Sequence, residues 1–176
     1  MIKGEKVRIE EILLQRHSVR NYNYHPIDDK VVMDIIQYGI TAPSGRNKQP
    51  WRFVIIKERD KIAAISDISM YNKWMKEAAV LIFILLNDRI SYDIIKDMQS
   101  CGAVMQNILL YSTSLGYGTC WIGEFTNSNK ADVRKIIGIN NKEEYTIAGL
   151  IVVGTEKEKK MSSKLKNPEE FIFTNE

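Results

Sequence analysis

The chain has 176 residues, 44% of them apolar and 27% charged, with a net charge of +3, which fits one globular domain with a core of its own. So slight a positive excess offers no case for nucleic-acid binding, which normally needs a concentrated basic stripe. The most apolar run, Ala78 to Leu86, is less than half the ~20 residues of a membrane span, and the charged start Met1-Ile2-Lys3-Gly4-Glu5-Lys6 is not followed by a signal-peptide core.

Val7 to Gln15 places Ile9, Ile12 and Leu13 at helical spacing and predicts a short amphipathic helix. A second helix is expected from Asp29 to about Thr41, with Val32, Ile35, Ile36 and Ile40 on one stripe and Asp28 and Asp29 at its positive end. Trp51 to Lys57 reads as a strand, Asp60 to Met70 and Asn72 to Glu77 as helices, and Ala78 to Leu86 as a buried strand. Ser91 to Leu115, interrupted by no proline and only by Gly102, predicts one helix of about 25 residues. At ~1.5 Å per residue it is roughly 38 Å long and must cross the domain's centre or an interface. Gly116 to Gly123 is a turn and strand, Ser128 to Ile137 a capped helix ended by Gly138, and Tyr145 to Val153 a strong strand. A charged tail, Glu156 to Lys166, precedes Phe171-Ile172-Phe173. This alternation defines an α+β or α/β chain.

Cys101 and Cys120 form neither a Cys-x-x-Cys pattern nor a disulfide framework, so no metal site is expected and a reducing cytoplasm is the simplest home. Neither a Ser-His-Asp nor a His-Glu-x-x-His pattern is present, and Gly116-x-Gly118 lacks the third glycine and following helix of a dinucleotide fingerprint. The chemistry concentrates elsewhere. Arg16-His17-Ser18-Val19-Arg20 holds two guanidiniums four residues apart with a hydroxyl between them, a donor set that matches phosphate, although two arginines alone more often form a solvated basic face. Ala42-Pro43-Ser44-Gly45-Arg46-Asn47-Lys48-Gln49-Pro50-Trp51 is a polar loop stiffened by two prolines between a helix and a strand, where a scaffold presents binding groups. Gly118-Thr119-Cys120-Trp121-Ile122-Gly123-Glu124 combines a strand with a glycine that lets backbone approach a flat ring. Lys164-Leu165-Lys166 is a second cationic pair.

The Arg-His-Ser-x-Arg entry and the Ala-Pro-Ser-x-x-Asn-x-Gln-Pro-Trp loop, in this order and about 25 residues apart, resemble the FMN-dependent nitroreductase family. The resemblance covers about residues 9 to 166 and implies a three-layer α+β fold, with a mostly antiparallel sheet flanked by helices and a long central helix. It further implies one FMN-binding domain, with its core at about 9–155 and a charged tail at 156–176. Arg16, Ser18 and Arg20 would grip the FMN phosphate and ribityl chain. His17 is counted with them, although its residue type alone leaves a structural role open. Pro43, Ser44, Asn47 and Gln49 would reach a flavin held mainly by the other subunit of a homodimer. Ile122 and Gly123 would meet the ring edge, Lys164 and Lys166 would fold back to the phosphate, and Asn72, with Lys76 nearby, would reach the pyrimidine end. Glu124 stands where many short members carry glycine, so its role is open.

The implied activity is ping-pong hydride transfer from NADH or NADPH to a nitroaromatic, quinone or similar small acceptor, with FMN rather than any catalytic side chain carrying the electrons. Alternatives are another flavin reaction such as reductive dehalogenation, a flavin-binding redox sensor or carrier without turnover, and a structural module without cofactor.

Overall fold

The computed structural model describes residues 8–125, 131–139, 144–158 and 165–173. Its elements in chain order are α1 (Ile9–Gln15), β1 (Tyr22–Asn23), α2 (Asp29–Gly39), a 3-10 turn (Gly45–Asn47), β2 (Trp51–Ile56), α3 (Arg59–Asp67), α4 (Asn72–Met75), β3 (Val80–Asn87), α5 (Ile94–Ser114), β4 (Gly118–Ile122), α6 (Ala131–Ile136), β5 (Tyr145–Glu156) and a second 3-10 turn (Pro168–Phe171). The strand pairs β1–β5, β2–β3, β3–β5 and β4–β5 are all antiparallel. A lone parallel bridge joins Ser18 to Thr119 at the outer edge of β4. The fold is therefore α+β, as the family resemblance implies.

Period-2 alternation explains how β3 serves two cores. Val80, Ile82, Ile84 and Leu86 face α2 and α5, while Leu81, Phe83 and Leu85 face α3, α4 and α6. In β5 the alternation slips by one at a bulge, where Leu85 pairs with Ile147 although Ile84 pairs with Gly149. Gly149 there allows α5 to approach, since a Cβ would meet Met105 Sδ at 2.8 Å. Helices thus cover both faces of the sheet, in three layers.

The long helix has 21 residues rather than the expected 25 or so, and it starts at Ile94, not Ser91. The reason is Asp97. Its buried carboxylate accepts from the Ser91 hydroxyl at 2.8 Å and from the backbone N–H of Tyr92 at 3.0 Å and Asp93 at 3.4 Å. Asp93, in extended backbone, caps the helix by accepting from the Lys96 N–H. The helix ends as a Schellman turn, with the Tyr117 N–H on the Ser112 carbonyl and Gly116 at φ 84°.

Other bounds also move. The helices expected to reach Thr41, Met70 and Glu77 end at Gly39, Asp67 and Met75. The last strand runs on to Glu156, because β1 pairs with its final residues. Gly138, at φ 76°, follows α6 as expected, whereas Ser128 lies outside the described residues.

Phe83 is fully buried and meets Phe125 with ring centroids 5.9 Å apart. Phe83→Ala should lower unfolding free energy by ~3–5 kcal/mol through lost burial and a residual cavity, read as a fall in the urea midpoint by circular dichroism.

Candidate functional site

Arg16 leaves α1 in extended backbone, and the chain then runs beside β4, with the Val19 N–H donating to the Thr119 carbonyl at 2.8 Å. Val19 is buried against Gly118. Alternation turns its neighbours the other way, leaving Ser18 and Arg20 exposed and Arg16 half-buried. Arg16, Ser18 and Arg20 gather around Cys120. Burial pushes the Cys120 thiol above its ordinary value, while the Arg20 charge, a hydrogen bond with the Ser18 side chain and the Arg16 charge act against that rise. Among the described residues neither Arg16 nor Arg20 makes an ion pair.

His17 faces away from this cluster. Its Nε2 lies 2.9 Å from Glu156 Oε1 and its Nδ1 2.9 Å from the Gln15 carbonyl, which ties the entry segment to the end of β5. Burial opposes protonation of His17, but the Gln15 carbonyl and the Glu156 carboxylate outweigh it and raise the imidazole above its ordinary value.

At the far end of β4, Ile122 is buried and Gly123 exposed, and a Cβ on Gly123 would find nothing within 4 Å. This glycine has neither a positive φ nor, among the described residues, a packing neighbour to account for it, so a Cβ there would point into open space. Glu124, whose role the sequence left open, accepts from the Ser69 hydroxyl at 2.6 Å and from the Met70 N–H at 3.1 Å. That clamp ties the turn before α4, which leads into exposed Asn72, to the residue that follows Gly123. Lys76 is paired with Asp67.

The Ala42–Trp51 loop is built differently. Arg46, Asn47 and Gln49 adopt φ of 52°, 54° and 47°, and side chains of this length hold such angles only when their surroundings impose them. Here the Ser44 hydroxyl accepts from the Gln49 N–H at 3.0 Å, the Ser44 carbonyl from the Asn47 N–H at 3.0 Å, and Asn47 Oδ1 from the Gln49 side chain at 3.3 Å. Asn107 of α5 anchors the loop's start by donating to Thr41 Oγ1. Pro43, Asn47 and Gln49 stay exposed and Ser44 half-buried.

The loop and the arginine cluster lie at opposite corners of the sheet. Trp51 is level with Leu86 and Thr146, whereas Ser18 is level with Thr119 and Val153. Seven residue steps along β5 and four strand spacings put Trp51, at the end of the loop, roughly 30 Å from Ser18. Lys166 is exposed with its ammonium 6.0 Å from the Phe171 ring centroid, and no contact among the described residues links it to Arg16 or Arg20. Lys164 lies outside the described residues. Sequence reasoning missed Glu156, Tyr92 and Asn107. No local pattern marks these contacts, because each bridges segments far apart in the chain.

The sequence model of the Nitroreductase family matches residues 13–71 and 67–155. The chain belongs to this family. A protein of Archaeoglobus fulgidus, provisionally named an NADH dehydrogenase/NAD(P)H nitroreductase, is 26% identical over 152 residues, 85% of this chain and 86% of its own. A provisionally named nitroreductase of Desulfovibrio desulfuricans, solved in complex with FMN, matches with a TM-score of 0.87 and 28% identity over 98% of this chain and 99% of that one. An NADPH:FMN oxidoreductase of Vibrio harveyi, solved with NAD+, shares the fold with a TM-score of 0.82 at 19% identity, over 96% of this chain and 77% of that one.

The raised value of His17 fixes a sign. The folded chain holds that proton more tightly than the unfolded chain, so the stabilisation by the His17–Glu156 pair is complete below the unfolded value of about 6.5 and fades as pH rises through the folded one. His17→Asn should therefore destabilise the protein more at about pH 5.5 than at about pH 8.5, read from urea midpoints.

Proposed function

We propose that this protein is an FMN-dependent NAD(P)H oxidoreductase that reduces nitroaromatics, quinones or similar small acceptors. The observation that carries this reading is the strand β4. At one end it seats two arginines without ion pairs and a serine hydroxyl, and at the other it ends on Gly123 with open space beside it. A phosphate dianion fits the first end, since guanidiniums match its geometry and its charge balances theirs. A flat ring fits the second. The group implied by the FMN-bound relative has both parts. When bound, FMN supplies the hydride-accepting ring, so the chain need not provide an acid, base or nucleophile.

In this reading Arg16, Ser18 and Arg20 hold the phosphate and Ile122–Gly123 the ring edge, with Asn72 placed by the Glu124 clamp near the pyrimidine. His17 acts as a positioning residue, bracing the backbone between Arg16 and Ser18 against Glu156. One open ring face serving donor and acceptor in turn gives ping-pong kinetics.

Dimerisation completes the site. A flavin mononucleotide spans on the order of 18 Å at covalent bond lengths, too short to join two corners of one sheet roughly 30 Å apart. Ser44, Asn47 and Gln49 of one subunit therefore serve the flavin of the other, and two-fold symmetry makes two such sites. The surface supports self-association. Ile9, Leu13 and Leu14 on α1, which packs on α5, and Ile94 and Ile95 at the start of α5 are all more than half exposed. No helix among the described residues is long and apolar enough to cross a membrane.

Arg20→Ala should remove a charge-assisted contact worth about 1.5–3 kcal/mol and weaken FMN binding roughly tenfold or more, measured by quenching of flavin fluorescence. Unchanged affinity with an intact fold would remove Arg20 from the site.

Because ligand that binds only the dimer stabilises it by mass action, dilution should release flavin as dimers part. Sedimentation with and without FMN tests this, and a monomer that holds FMN as tightly as the dimer refutes the shared site.

A further inference from the structure

The Ala42–Trp51 loop carries cations that the flavin site leaves unused. Arg46, Lys48 and Arg52 are exposed, and residues 44–52 contain no carboxylate. Among the described residues none of the three makes an ion pair. Arg52 is occupied, its guanidinium donating to the carbonyls of Gln49 at 3.3 Å and Trp51 at 2.7 Å. Arg46 and Lys48 remain.

Arg46 is held in place by its own surroundings. Its guanidinium carbon lies 4.8 Å from the centroid of the Tyr92 ring. Tyr92 can sit there only because Gly45 has no Cβ, which the Tyr92 hydroxyl would otherwise meet. Tyr92 is fixed in turn by its N–H on the buried carboxylate of Asp97. Stacking fixes the plane of a guanidinium while leaving its N–H edges free to donate. Lys48 follows with its own N–H on the Gly45 carbonyl at 3.1 Å. The loop thus sets two cations without ion pairs among the described residues, Arg46 on strained left-handed backbone and Lys48 on ordinary helical backbone, beside the amides of Asn47 and Gln49. Strain and like charge both disfavour such an arrangement in isolation, and an anion relieves the second.

We propose that Arg46 and Lys48 form an anion site at the mouth of the flavin pocket, taking a phosphate of the nicotinamide dinucleotide that reduces the flavin. This rests on the shared-site reading, in which Ser44, Asn47 and Gln49 of the same loop reach the flavin. Two phosphates have the required chemistry. The pyrophosphate bridge is common to NADH and NADPH, whereas the 2′-phosphate belongs to NADPH alone. Arg46 presents a planar donor fork and Lys48 a point charge, which together suit a dianion of either kind.

The test titrates the FMN-loaded protein calorimetrically with 2′,5′-ADP and, separately, with 5′-ADP, and measures KM for NADPH and NADH. The double variant Arg46→Asn/Lys48→Asn removes both charges while asparagine tolerates the left-handed backbone at position 46. The wild type should bind at least one of the two nucleotides, and the double variant should bind it tenfold or more weakly, with KM rising by a similar factor at unchanged flavin content. Loss confined to 2′,5′-ADP and NADPH assigns the 2′-phosphate, and equal loss for 5′-ADP and NADH assigns the pyrophosphate. Arg46→Lys should recover part of the affinity. Unchanged affinity and KM in the double variant, or no nucleotide binding by the wild type, overturns the anion site and leaves the flavin reading intact. A protein that takes up no FMN defeats the flavin reading instead, and the same titrations of the FMN-free protein then decide the anion site.

Discussion

The strand β5 is the constraint on which the rest of the molecule depends. It pairs with β3 along one edge and β4 along the other, takes β1 at its C-terminal end, and is covered by helices on both faces. A strand held this way cannot slip by one residue without turning its apolar set out of two cores at once. Its register therefore fixes the separation between everything attached to its two ends. The bulge at Ala148–Gly149 belongs to the same arrangement, because it brings two successive residues to the α5 side and lets Met105 seat against a bare backbone.

Polar groups are hung on this frame by a few long-range hydrogen bonds. The Val19 N–H on Thr119 lays the arginine segment along β4, the His17–Glu156 contact pins it to the end of β5, and Glu124 draws in the turn before α4. They leave the guanidiniums of Arg16 and Arg20 without ion pairs among the described residues, that of Arg20 donating only to the Ser18 carbonyl, and Gly123 exposed. On the far corner, a strained loop is braced by Ser44 and seated on Tyr92. Such strain persists only because these local bonds hold it.

In the shared-site proposal, rigidity of the sheet and division of the site are two aspects of the same geometry. Since β5 keeps the arginine cluster and the Ser44–Gln49 loop apart, a site that draws on both is proposed to use a second copy of the chain. Cofactor affinity and assembly then become one equilibrium. On the same proposal the electron chemistry belongs to FMN, and the chain's work reduces to holding charge, orienting a ring and leaving one face open.

Sequence alone determined the elements whose signal lies within a few residues. The continuous apolar run of β3, the stripe of α2, the glycine stops after α5 and α6, and both family motifs are all local patterns of this kind. They were enough for the α+β class and for the family. Tertiary structure decided what distant residues do to one another. The helix α5 begins at Ile94 because Asp97 bonds the loop before it, β5 extends to Glu156 because β1 pairs with it, and His17 takes a partner 139 residues away. Glu124 likewise acquires its role from Ser69, 55 residues distant. Periodicity carries no record of such contacts. They arise only when the sheet has set the strands side by side, and the separation of the two polar corners exists only in its register.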